Sequence, residues 1–132
     1  MTHILIAGSR SWQDYQSLKQ AWQDCLAKHN LSKYAVTIVS GGAQGADKLA
    51  ERLAQEEGIA IEIYRPDWQR HGNKAGMIRN AEMVAKAQQL IALWDGQSKG
   101  TAMTINTARR KGLSITVVQP NTQAEPWQQL AL

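Results

Sequence analysis

The sequence predicts a doubly wound α/β domain, a parallel five-stranded sheet with helices on both faces. Two observations predict it. Short apolar segments alternate four times with stretches of helical spacing, and a fifth apolar segment closes the pattern. Such alternation marks βαβ units. The chemically unusual residues then fall directly after strands, and an open parallel sheet gathers those loops on one edge.

The five strands are read at His3–Ala7, Ala35–Ser40, Ala60–Tyr64, Gln89–Trp94 and Ser114–Val118. The first, fourth and fifth are the most continuous, which predicts burial on both sheet faces. The first helix carries Tyr15, Leu18, Trp22, Cys25 or Leu26, and His29 at helical spacing, with Asp14 as its amino-terminal cap. The second carries Leu49, Ala50, Leu53 and Ala54, and Gly58 stops it. The third runs from about Ala75 to Ala87, with Ile78, Ala81, Val84 and Ala85 on one side. The fourth runs from about Gly100 to Lys111, with Ala102, Ile105 and Ala108 inward, and ends at Gly112. Right-handed crossovers leave few topologies, and a Rossmann-like strand order of 3-2-1-4-5 is the expected one. The domain covers residues 1–118. Residues 119–132 are read as a carboxyl-terminal extension, either loose or packed back through Trp127, Leu130 and Leu132.

The chain has 132 residues, 43% apolar and 20% charged, as one globular domain with its own core requires. No apolar run approaches the roughly 20 residues that span a bilayer, so no membrane partner is expected. Residues 1–7 enter a strand pattern directly and lack the pattern of a secretory leader. The single cysteine, Cys25, excludes an internal disulfide, and a cytoplasmic location is expected. No Cys, His and carboxylate cluster has metal-ligand spacing, and no cofactor is called for with certainty. The net charge of +4 permits an anionic partner, but the basic residues are spread along the chain.

Four loops carry the candidate site. Gly8-Ser9-Arg10 follows the first strand, and Arg10 is placed to grip a phosphate with its bidentate fork. Ser40-Gly41-Gly42-Ala43-Gln44-Gly45-Ala46-Asp47 follows the second. Its glycines admit positive φ and close approach of a ligand, and it feeds a helix amino terminus that favours phosphate. It matches neither the dinucleotide fingerprint nor the P-loop, and it reads equally as a tight strand-to-helix turn. The third loop runs from Arg65-Pro66-Asp67-Trp68 to Lys74. The fourth, Asp95-Gly96-Gln97-Ser98-Lys99-Gly100-Thr101, offers the Ser98 and Thr101 hydroxyls and the Lys99 charge, and reads equally as a capped helix start. Arg79 and Asn80 lie early in the third helix, where Arg79 either adds charge to the cleft or forms a surface ion pair.

Asp47, Asp67 and Asp95 are the acids of that edge. A carboxylate there accepts ribose hydroxyls, acts as base or nucleophile, or merely complements a helix dipole or caps a turn. Trp12, Trp68 and Trp94 lie near strand ends, as base-stacking platforms or as packing. His71 is the histidine of the third loop and has no evident partner. The candidate catalytic residues are Arg79, Asp95 and Asp47.

Taken together these motifs resemble the YspA/YpsA-related branch of the SLOG superfamily. The resemblance rests on Gly8-Ser9-Arg10-x-Trp12 and Ser40-Gly41-Gly42-Ala43-x-Gly45-Ala46-Asp47, then on Pro66-Asp67-Trp68-x-x-x-Gly72-x-x-Ala75-Gly76-x-x-Arg79-Asn80-x-x-Met83 and Trp94-Asp95-Gly96-x-Ser98-x-Gly100-Thr101. It covers residues 4–118 in the right order. It implies a Rossmann-like fold, distantly similar to the Lonely Guy phosphoribohydrolases and to DprA. By that resemblance the Ser40–Asp47 loop corresponds to a phosphate-holding loop, and Arg79 to an arginine that assists catalysis. Those enzymes carry a catalytic glutamate after the second glycine motif. Here Ala102, Met103 and Thr104 follow Gly100-Thr101, so a Lonely Guy-type activity is not expected. The expectation is binding or sensing of a nucleotide or nucleotide-derived phosphate ligand, such as an ADP-ribose or NAD-like species. The rivals are hydrolysis of an N-glycosidic or phosphate bond and DprA-like nucleic-acid binding, the last less favoured for want of an aromatic-interleaved basic stripe. A homodimer is what the resemblance implies for assembly.

Overall fold

Apolar runs of Ile, Val and Leu pair side by side to build the sheet. The structure is a computed structural model describing residues 1–120. Its strands are β1 (Thr2–Gly8), β2 (Val36–Ser40), β3 (Ala60–Ile63), β4 (Gln89–Leu93) and β5 (Ser114–Val118). They form one sheet in the order β3-β2-β1-β4-β5, every pair parallel. This is the expected doubly wound, Rossmann-like α/β architecture. Register pairs Ile4 with Ile38 across β1–β2 and Leu5 with Leu90 across β1–β4.

The helices are α1 (Tyr15–Lys28), α2 (Ala46–Glu57), α3 (Trp68–His71), α4 (Ala75–Lys86) and α5 (Lys99–Lys111). Alternation along the strands divides the core in two. Ile4, Ile6, Ile38, Ile91 and Leu93 face one layer with Leu18 and Trp22 of α1 and Leu53 of α2. Leu5, Ala7, Val39, Leu90 and Ala92 face the other with Val84 of α4 and Ile105 of α5. Burying each large aliphatic chain contributes about 1.5–3 kcal/mol before entropy is counted. Asp14 caps α1 by accepting the Ser17 N–H at 3.1 Å, and the left-handed Gly58 and Gly112 end α2 and α5.

Three details depart from the sequence reading. β2, not β5, is buried along its whole length. β5 is an edge strand whose Thr116 and Val117 are exposed, because an edge has a strand neighbour on one side only. The buried stripe of α4 is Ala75, Met83 and Val84, while Ala81 and Ala85 are exposed. Alanines define a helix face weakly, and Met83 fills the gap against the sheet. On α5 the stripe runs through Thr101, Thr104, Ile105 and Ala108, with Ala102 only half-buried. The Thr104 hydroxyl is satisfied there by donating to the Gly100 carbonyl at 3.1 Å. Trp127, Leu130 and Leu132 lie outside the described residues. No helix among the described residues is long and apolar enough to cross a membrane.

Candidate functional site

β1 and β4 lie side by side, yet the chain leaves them in opposite directions, β1 towards β2 and β4 towards β5. This switch point opens a crevice beyond the carboxyl ends of the strands. Its floor is tight. A Cβ on Gly8 would meet the Leu93 carbonyl and come within 2.8 Å of the Ala46 methyl. Ser9 is buried and tied to protein on every side. Its N–H donates to the Leu93 carbonyl at 2.9 Å, and its own carbonyl accepts the Trp12 and Ala46 N–H groups at 3.2 and 3.1 Å. Its Oγ accepts the Asp95 N–H at 3.2 Å. Ser9 thus locks β1, α2 and the β4–α5 loop together behind the crevice.

The glycine loop before α2 is seated against arginines. Arg79 of α4 donates from Nη1 to the carbonyls of Gly41 at 2.7 Å and Tyr64 at 3.2 Å, and from Nε to Asn80 Oδ1 at 2.7 Å. Asp47, in the first turn of α2, accepts the Ala43 N–H on Oδ2 at 3.0 Å. With the Ala46 N–H given to Ser9 and the Gly42 N–H facing the Ser40 hydroxyl at 3.5 Å, several of the loop's amides already meet protein oxygens. The α5 loop is similar. Asp95 Oδ1 accepts the Gln97 and Ser98 N–H groups, both at 2.8 Å, and Ser98 Oγ caps the Thr101 N–H at 3.4 Å. Those backbone N–H bonds hold the Asp95 carboxyl below the usual carboxylate range.

A cleft of about 310 Å³ opens above these loops. It brings together nine of the expected residues: Gly8, Arg10, Asp47, Trp68, Arg79, Asn80, Ser98, Gly100 and Thr101. An adjoining recess of about 390 Å³ takes in Gly41 and Gly42 and shares Arg10, Trp68 and Arg79 with the cleft. Ser9, Ser40, Gly45, Asp95, Gly96 and Lys99 line neither. Of the three candidate tryptophans, Trp12 is buried with its indole N–H on the Asp14 carbonyl, and Trp94 gives its indole N–H to the Ser98 carbonyl. Trp68 is 58% exposed and forms a wall. Asp67 caps α3 by accepting the Arg70 N–H at 3.1 Å. The sequence reading placed Arg65 and Asn73 in the third candidate loop without singling them out, and passed over Met77 and Met103 as lining residues. Met77 and Met103 stand off the buried stripes of α4 and α5 and are exposed, and that off-stripe position was the available signal.

Asp47 is the carboxylate that lines the cleft among the described residues. Burial pushes its pKa up, against the lowering effects of the Ala43 N–H and of the Arg79 and Arg10 charges. Burial likewise pulls the Arg79 guanidinium down from its ordinary value. A carboxyl whose folded pKa lies above its unfolded value disfavours folding once it ionises. Its stabilising share is therefore present at low pH and lost as pH rises from the unfolded pKa through the folded one. Asp47→Asn keeps an acceptor for Ala43 without the buried charge. Thermal melts from pH 4 to pH 8 are expected to show the variant more stable than the parent at the upper end, with the gap closing towards acid. A gap that widens towards acid would refute the raised pKa.

The fold and this crevice define the class, a Rossmann-like domain with an arginine-walled cleft at its switch point. The chain belongs to the YspA, cpYpsA-related SLOG family, whose model matches residues 2–71. It is 40% identical over 121 residues to the Gene 61 protein of Mycobacterium phage D29, a match spanning 87% of this chain and 94% of that protein. The X-ray structure of DNA processing protein A (DprA) from Streptococcus pneumoniae has a similar fold, with a TM-score of 0.71 at 16% identity. That likeness covers 99% of this chain and 56% of DprA, so the chain spans little more than half of that structure.

Proposed function

We propose that the switch-point cleft binds a nucleotide or nucleotide-derived phosphate ligand of the ADP-ribose or NAD-like class. The observation that carries this reading is the division of the cleft's lining between two chemistries. Arg10, Arg79, Ser98 and Thr101 supply charge and hydroxyls, while Met77, Met103 and Trp68 supply soft, exposed apolar surface. A nucleotide has the same division. Its phosphate suits the fork of Arg79 and the amino terminus of α5, its ribose suits Asp47 and Asn80, and its base suits the methionines and Trp68. Calorimetry against AMP, ADP-ribose and NAD tests the reading, with saturable binding expected for at least one. No heat with any phosphorylated ligand overturns it. Tight binding of single-stranded DNA with steep salt dependence, in place of nucleotide binding, moves the assignment to nucleic acid.

A second reading rests on Asp47 alone. A buried carboxyl with a raised pKa inside a cleft suits proton transfer to or from a scissile N-glycosidic bond. Of the residues after Thr101, Met103 and Thr104 line the cleft, and neither carries a carboxyl. Release of base or nicotinamide from AMP or NAD, lost in Asp47→Asn, is the result this reading requires.

A further inference from the structure

The recess beside the cleft shares Arg10, Arg79 and Trp68 with the proposed nucleotide site and adds Arg65, Gly41 and Gly42, which that site does not use. Arg65 and Arg79 close on Gly41 and Gly42, Arg10 lines the same recess, and Ala43, Pro66 and Trp68 complete the wall. The contact is close. Arg79 Nη1 lies 2.7 Å from the place a Cβ on Gly41 would take, and Arg65 Nη1 lies 2.9 Å from the corresponding place on Gly42. Any side chain at either position would displace a guanidinium. The glycine pair is therefore a seat for two arginines, and the amides beside it are already turned towards Asp47, Ser9 and Ser40.

None of the three arginines makes an ion pair among the described residues. Asp47 sits behind Gly41, its Oδ2 3.0 Å from that same Cβ position, and comes within 4.0 Å of no guanidinium nitrogen. Asp47 sets a single buried carboxyl against three guanidiniums, so their like charges still repel, and an arriving anion reduces that repulsion while accepting forked N–H donors. Arg79 belongs to both compartments, so an anion in the recess lies next to whatever fills the cleft.

We infer that Arg10, Arg65 and Arg79 form a second anion subsite over Gly41–Gly42, and that the ligand is a nucleotide with at least two phosphoryl groups rather than a monophosphate. This rests on the nucleotide reading of the cleft. One phosphoryl group occupies the α5 side and the other occupies the arginine seat. Arg65 is exposed and makes no hydrogen bond to a described residue, so its replacement leaves the fold intact and isolates the subsite.

The test is calorimetry of the parent chain and of Arg65→Ala with AMP, ADP, ADP-ribose and adenosine 3′,5′-bisphosphate, at one ionic strength. At least one two-phosphoryl ligand is expected to bind the parent at least about tenfold more tightly than AMP, a typical gain for a forked charged contact. Arg65→Ala is expected to erase that advantage and leave AMP within about twofold of the parent. Arg65→Lys, with charge but no fork, is expected to fall between. Equal affinity of AMP and all the two-phosphoryl ligands for the parent overturns the subsite while leaving the nucleotide reading standing. So does an Arg65→Ala loss that is the same for every ligand. Failure of all four to bind overturns both.

Discussion

Gly45→Ala is expected to cost about 3–5 kcal/mol of stability, from backbone strain and overpacking together. Gly45 has φ +68° and ψ −121°, a conformation an L side chain adopts only under strain. A Cβ there would also run into the backbone carbonyls of Ser9 and Arg10. The Ser9 carbonyl cannot swing aside, because it accepts the Trp12 and Ala46 N–H groups and Ser9 holds β1, α2 and the β4–α5 loop together. Gly58 is the internal control. It has the same φ of +68° with nothing within 4 Å of its Cβ position, and Gly58→Ala is expected to cost only about 1 kcal/mol. Urea titrations of the two variants read the crowding together with the extra strain of the ψ −121° conformation, and equal midpoints would refute both. Since a domain of this size has about 5–15 kcal/mol to lose, Gly45→Ala is expected to bring the chain close to unfolding at 37 °C.

Arg79→Ala is expected to weaken nucleotide binding by about a hundredfold and also to destabilise the chain by about 2–4 kcal/mol. The first effect follows from the place of Arg79 in both compartments. The second follows from the Gly41 and Tyr64 carbonyls, which lose their charged donor. A further consequence distinguishes this arginine from a generic cation. Arg79 is one of the charges that hold the Asp47 pKa down against burial. Without it that pKa moves further up, so the pH range over which stability falls extends upward. Arg79→Lys keeps most of that restraint but not the fork, and is expected to retain the pH profile while losing affinity. Identical pH profiles for the parent and Arg79→Ala would show that Arg79 and Asp47 are not coupled.

Two of the departures from the expected burial have the same origin. β5 reads as a fully buried strand because Ile, Val and Val occur together at 115–118, but periodicity reports pairing tendency and not position in the sheet. α4 reads as turned towards Ala81 and Ala85 because alanine fits either face, and only contact with the sheet selects Met83. The glycine loop is the more instructive case. Gly41, Gly42 and Gly45 are legible as a loop where backbone must come close to something. Gly45 comes close to the carbonyls of Ser9 and Arg10, and Gly41 and Gly42 to the guanidiniums of Arg79 and Arg65. Small side chains announce a close approach without naming what approaches.

Strand and helix order, the parallel sheet and the switch-point edge were determined by the sequence alone. They follow from local periodicity, caps such as Asp14 and the stops at Gly58 and Gly112, all of which act over a few residues. The partners inside the site were decided only by tertiary structure. Arg79 reaches a carbonyl 38 residues away, and Ser9 accepts an N–H from 86 residues away. Such contacts exist only once the sheet has brought β1, β2 and β4 side by side, because no local pattern records which loop a long, flexible cation will meet.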